Sequence, residues 1–120
     1  NACNGGLLII PALRIADGKK VTLALQSVPF GPKRTNVGIY AKELPADIST
    51  LTPETLAKDW DMKYQVSHTW SAYSTMLQRR SGDIAFYYEE SHDGSNHVYD
   101  MHYCEIPLEV ITSGRYKAVR

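Results

Sequence analysis

Apolar and polar residues alternate with a period of two along much of this chain, the pattern of strands that bury one face. Val21, Leu23 and Leu25 alternate with Thr22, Ala24 and Gln26 and predict a half-buried strand over 19–27. Ahead of it, the apolar run 7–13, interrupted by Pro11, reads as a buried strand that extends to Ile15. Asp17-Gly18 between them is a tight-turn dipeptide, because glycine takes a positive φ at no steric cost. Pro29, Gly31 and Pro32 mark a loop before a third strand over 35–43, and a fourth fits 60–66. Between these two, Thr52-Pro53-Glu54-Thr55-Leu56 offers a hydroxyl N-cap, proline at the first helical position and an early acid, so a short surface helix is expected. Three more strands fit 71–77, 84–90 and 98–105. The segment 91–96 between the last two is rich in turn formers. Residues 107–112 read as a helical turn, and the last residues as a strand end or a tail.

The hairpin over 71–90 carries the most information. With Arg80-Ser81-Gly82 as a three-residue loop and Gly82 in the left-handed conformation, Arg79 faces Asp83. Counting back from that pair sets Tyr73 opposite Glu89, so a phenol and a carboxylate share one face at the open end of a sheet. A slip of one residue would separate them.

Composition narrows the function classes. The 120 residues suffice for one modest domain. Thirteen basic and 13 acidic side chains cancel, and no basic stripe points to nucleic acid. No run approaches the roughly 18 apolar residues of a membrane-spanning helix. Cys3 and Cys104 are too few for a disulfide framework and read as two buried thiols, with a single bridge as the alternative. No cofactor or metal is implied. Gly5-Gly6 precedes a strand rather than a helix, and His92, His97 and His102 lack metal-site spacing with a third ligand. Cys104 has no base nearby in sequence, and Arg14, Arg79 and Arg80 read as surface charges. Trp60 and Trp70 read as packing residues. Asn1 leads almost directly into a core-type strand, which suggests a piece of a longer protein.

Lys33-Arg34-Thr35-Asn36-Val37-Gly38-Ile39-Tyr40, then Tyr73-Ser74 opening one strand, then Tyr87-Tyr88-Glu89 closing the next resemble, in that order, segments of sialidase catalytic domains. The resemblance covers Arg34 to Glu89. It implies an all-β fold of antiparallel four-stranded blades, with this chain supplying about the last two blades of a six-bladed β-propeller. Residues 7–66 would then form one blade, and residues 70–120 most of the closing blade. No Asp-box turn is recognisable.

The same resemblance implies an exo-sialidase, a retaining glycoside hydrolase acting on sialylated glycans, in which Tyr73 is the nucleophile. Sialic acid carries a carboxylate on its anomeric carbon, so a carboxylate nucleophile would meet like-charge repulsion and a neutral phenol does not. A phenol with an ordinary pKa of about 10 needs a neighbouring base. Arg34 would grip the substrate carboxylate through paired hydrogen bonds, as lysine cannot. Glu89, rather than the adjacent Glu90, would orient another arginine of the carboxylate-binding triad. The base, the acid/base aspartate and two arginines would come from the remainder of the parent catalytic domain, so this segment alone is expected to be inactive. The substrate's location places the parent in the periplasm or outside the cell. The rival readings are a non-catalytic sugar-binding propeller segment and a structural all-β domain.

Overall fold

The computed structural model describes residues 5–119. The described residues are all-β, with eight strands in two antiparallel sheets, one of them curled into a half-barrel. The strands are β1 (Leu7–Arg14), β2 (Lys20–Pro29), β3 (Val37–Glu43), β4 (Met62–Gln65), β5 (Ser71–Gln78), β6 (Ile84–Ser91), β7 (Tyr99–Ile106) and β8 (Tyr116–Ala118). A five-stranded sheet has the order β4-β3-β2-β1-β8, and a three-stranded sheet the order β5-β6-β7. Two short α-helices, α1 (Pro53–Leu56) and α2 (Leu108–Ile111), and a 3-10 turn over Ile48–Thr50 lie in the connections.

Local chemistry accounts for the turns. Gly18 sits at φ 69° and its N–H donates to the Arg14 carbonyl at 2.7 Å, closing the β1–β2 hairpin. Thr52 caps α1 by accepting from the Thr55 N–H at 3.1 Å, and the Thr55 hydroxyl accepts from the Thr52 N–H in return. At the β5–β6 hairpin the Arg79 N–H donates to the Asp83 carbonyl at 2.8 Å, and Gly82 has φ 95°.

The sheets pack face to face, with β5 lying against β2 and β1. Ile10, Leu23, Leu25, Val37 and Ile39 of the first sheet meet Met76, Ile84 and Phe86 of the second, and Leu108 and Ile111 of α2 close the core. Each such fully buried side chain contributes about 1.5–3 kcal/mol relative to exposure. A polar seam crosses this core: Ser74 Oγ donates to Ser27 Oγ at 2.8 Å, and Ser27 Oγ accepts the Gly6 N–H at 2.7 Å.

Two expectations need correction, and a third is resolved. The first strand is buried on one face only. Ile10 and Ala12 point into the core, while Leu7 and Ile9 are 58% and 54% exposed on the outward face. The fourth strand is shorter than 60–66, because Asp59 adopts φ 62° and Trp60 turns to donate its indole N–H to the Leu56 carbonyl at 2.8 Å. Of the strand end or tail expected after the second helix, the structure has the strand: β8 adds to β1, setting Ala118 beside Ala12 and Tyr116 beside Arg14.

Candidate functional site

The two sheets are stitched together at one rim. Residues 34–37, leading into β3, run antiparallel to residues 69–71, leading into β5. Asn36 N–H donates to the Thr69 carbonyl at 2.9 Å, and Ser71 N–H donates to the Arg34 carbonyl at 2.8 Å. This stitch brings Arg34 and Tyr73 side by side. The Arg34 guanidinium carbon lies 5.5 Å from the centroid of the Tyr73 ring, within cation–π range. Arg34 is exposed, and Tyr73 is 43% exposed.

The loop carrying Arg34 is closed on itself. Phe30 N–H donates to the Asn36 carbonyl, and Gly31 N–H to the Thr35 carbonyl, each at 3.0 Å. The Asn36 side-chain amide donates to the Gly31 carbonyl at 2.8 Å, and the Thr35 hydroxyl to the Pro32 carbonyl. Lys33 and Asn36 both take positive φ, an uncommon backbone for residues with a Cβ. Gly38 seats the loop's base: a Cβ there would lie 2.5 Å from the Phe30 ring and 2.5 Å from the Tyr64 carbonyl.

Tyr73 stands in a β-bulge. The β5–β6 ladder holds its expected register from Gln78–Ile84 to Ser74–Tyr88, then shifts before the Ser71–Glu90 pair. Ala72 and Tyr73 together therefore oppose Glu89. Bulges re-aim side chains and occur often beside active sites. The Tyr73 N–H, displaced from the ladder, donates to Glu89 Oε1 at 3.4 Å. Glu89 thus shares the outward face and the rim with Tyr73. Glu90 turns to the other face, accepts from Ser67 Oγ at 2.7 Å and lies 3.6 Å from His102 Nε2. At the neighbouring hairpin end His92 pairs with Asp100 at 2.7 Å, a hydrogen bond that raises the His92 pKa.

The far end of β3 holds polar residues that the sequence reading missed. Arg14 is not a free surface charge. It grips Glu43 through Nε at 3.2 Å and Nη2 at 2.8 Å, and reaches Asp17 with Nη1 at 2.7 Å. The Tyr116 hydroxyl donates to the same Glu43 carboxylate at 2.7 Å. Arg14 and then Tyr116 hold the Glu43 carboxyl below its ordinary pKa, while burial first and Glu43 second raise that of Tyr116. The signal was present in the pattern. Arg14 continues the inward series Ile10, Ala12, and Glu43 continues Ile39, Ala41, so both charges end strands on the core-facing side.

Lys42 is 6% exposed and donates from Nζ to the carbonyls of Thr55 and Leu56, at 2.6 and 3.4 Å, and to that of Lys58. Lys42, Glu43 and Tyr116 line a cavity of about 690 Å³ together with Asp59, Asp61 and Arg115. Lys42 there is engaged with backbone, Glu43 with Arg14 and Tyr116, and Arg115 with Asp61 at 3.1 Å, and these contacts hold the fold together. The candidate site is therefore the open rim with Arg34 and Tyr73, not this cavity.

Arg79, also read as a surface charge, contacts the Tyr103 hydroxyl at 3.1 Å and Glu105 at 3.4 Å. Cys104 carries a free thiol whose pKa burial raises; Cys3 lies outside the described residues. Among the described residues no cluster of His, Cys, Asp and Glu could hold a metal ion, and no helix is long and apolar enough to cross a membrane. No protein-family model matches the chain, and no match to it is found among curated proteins.

Proposed function

We propose that this chain is the C-terminal part of a retaining exo-sialidase, contributing about the last two blades of a six-bladed propeller. One observation carries the reading: the Arg34 guanidinium carbon, on the loop leading into one sheet, lies 5.5 Å from the centroid of the Tyr73 ring, on a strand of the other, at one accessible rim. Their segments also stand in the order that sialidases use, with Glu89 on the strand returning beside Tyr73. The outward faces support the larger ring. Leu7 and Ile9 are exposed on the first sheet, and Leu77 and Met101, at 51% and 66% exposure, on the second. Apolar faces of this kind suit packing against neighbouring blades.

In the proposed reaction Arg34 binds the sialic acid carboxylate. The Tyr73 phenol oxygen bonds to the anomeric carbon as the glycosidic bond breaks. The phenol proton passes to a base, and the departing oxygen takes a proton from an acid, both supplied by the rest of the catalytic domain. Water then displaces the tyrosine, releasing sialic acid and restoring the phenol. Sialylated glycans lie outside the cell, so the parent works in the periplasm or beyond it.

The test is Tyr73→Phe in the protein with its complete catalytic domain. Turnover of a sialoside should fall by roughly a thousandfold or more, while a sialic acid analogue still binds. Undiminished turnover would exclude the nucleophile role. Binding without turnover in the unaltered protein would leave a sugar-binding propeller.

A further inference from the structure

We propose that Ser71 is a positioning residue that fixes the separation between Arg34 and Tyr73, an inference that rests on the sialidase reading of this rim. Ser71 is fully buried. Its N–H donates to the Arg34 carbonyl at 2.8 Å. Its hydroxyl accepts the Val37 N–H at 2.9 Å and donates to the Thr69 carbonyl at 3.2 Å. One small side chain therefore ties the segment leading into β5 to the segment that joins Arg34 to β3. A hydroxyl suits this place because it donates and accepts at once. Alanine there would leave the Val37 N–H without its partner.

The bulge makes this tie matter. Ala72 and Tyr73 oppose a single residue, so the regular ladder does not set where Tyr73 stands. Two buried serines bracket it instead. Ser71 fastens the near side to the Arg34 segment, and Ser74 fastens the far side to Ser27 through the 2.8 Å hydroxyl contact. The Arg34 loop keeps its own shape through the bonds among residues 30–36. Loss of the Ser71 hydroxyl should thus leave the carboxylate grip in place and shift the nucleophile relative to the bound sugar. Misplacement by about 1 Å costs on the order of a hundredfold in rate.

The experiment compares three variants in the protein with its complete catalytic domain. Ser71→Ala should lower kcat by roughly ten- to a hundredfold with KM changed by less than about threefold. Thr112→Val removes an equally buried hydroxyl, one bonded to the Leu108 carbonyl and the Tyr116 N–H far from the rim. It should lower the melting temperature and leave kcat within about twofold. Tyr73→Phe separates the two claims. If it is inactive while Ser71→Ala turns over at the wild-type rate, the Ser71 inference fails and the sialidase reading stands. If Tyr73→Phe is active, both fall. An equal loss of kcat in Thr112→Val would trace the effect to general destabilisation and overturn the positioning role. Should Ser71→Ala fail to fold, Ser71→Cys offers a weaker donor and acceptor of similar size. A kcat loss of about threefold or more then supports the role, and an unchanged kcat overturns it.

Discussion

Lys42 shows how a single residue can hold a segment that has little core of its own. Its ammonium collects three carbonyls from the end of α1 and the residues after it, and the Trp60 ring lies 5.7 Å from Nζ. Hydrogen bonds to a charged group contribute more than neutral ones, and carbonyls left without a donor cost free energy. Lys42→Met keeps the length of the side chain and removes the donors. It should destabilise the fold by about 2–4 kcal/mol, read from the urea midpoint. An unchanged midpoint would mean that water serves those carbonyls equally well. Glu43 predicts a pH dependence. Its carboxyl is held low by Arg14 and Tyr116, so its stabilisation is complete above the ordinary carboxylate range. That stabilisation is lost as pH falls through the depressed folded value. Between about pH 5 and 3 the melting temperature of the wild type should drop more steeply than that of Glu43→Gln. Parallel curves would remove Glu43 from the acid response.

At the scale of elements, the β5–β6 hairpin depends on its turn. Gly82 is buried at φ 95°, and its N–H donates to the Arg79 carbonyl at 2.9 Å. A side chain there meets backbone strain, so Gly82→Ala should cost about 1–3 kcal/mol in urea unfolding. A loss under about 0.5 kcal/mol would show that the turn relaxes without strain. This turn was readable in advance because a three-residue loop with glycine in third place admits one register, which then set Tyr73 opposite Glu89. The bulge at the far end of the same ladder was not readable. The extra residue breaks the alternation by burying Ser71 and Ala72 in succession, but both are small, and nothing in Ser71-Ala72-Tyr73-Ser74 marks it in the sequence. The adjacency of Arg34 and Tyr73 was implied only by resemblance, since the stitch between 34–37 and 69–71 joins segments with no periodic relation. Lys42 hid for a related reason: a lysine on an alternating strand reads as solvated until distant carbonyls close over it.

Across the whole molecule, the strands and both sheets' local hairpins followed from alternation and turn chemistry, but the partner of the last strand did not. β8 is only three residues long, and its own sequence carries no sign that β1 receives it. That pairing has a kinetic consequence. The meander β5-β6-β7 needs only contacts between neighbours in sequence, whereas the ladder pairing Ala12 with Ala118 must close over every element between them. Long closures are entropically costly, and topologies that need them fold slowly. In refolding followed by pulsed hydrogen exchange, amides of the meander should become protected before those shared by β1 and β8. Simultaneous protection would mean one concerted step. On the ribosome the larger sheet stays unfinished until residues 116–118 emerge, and until then β1 waits with one edge bare.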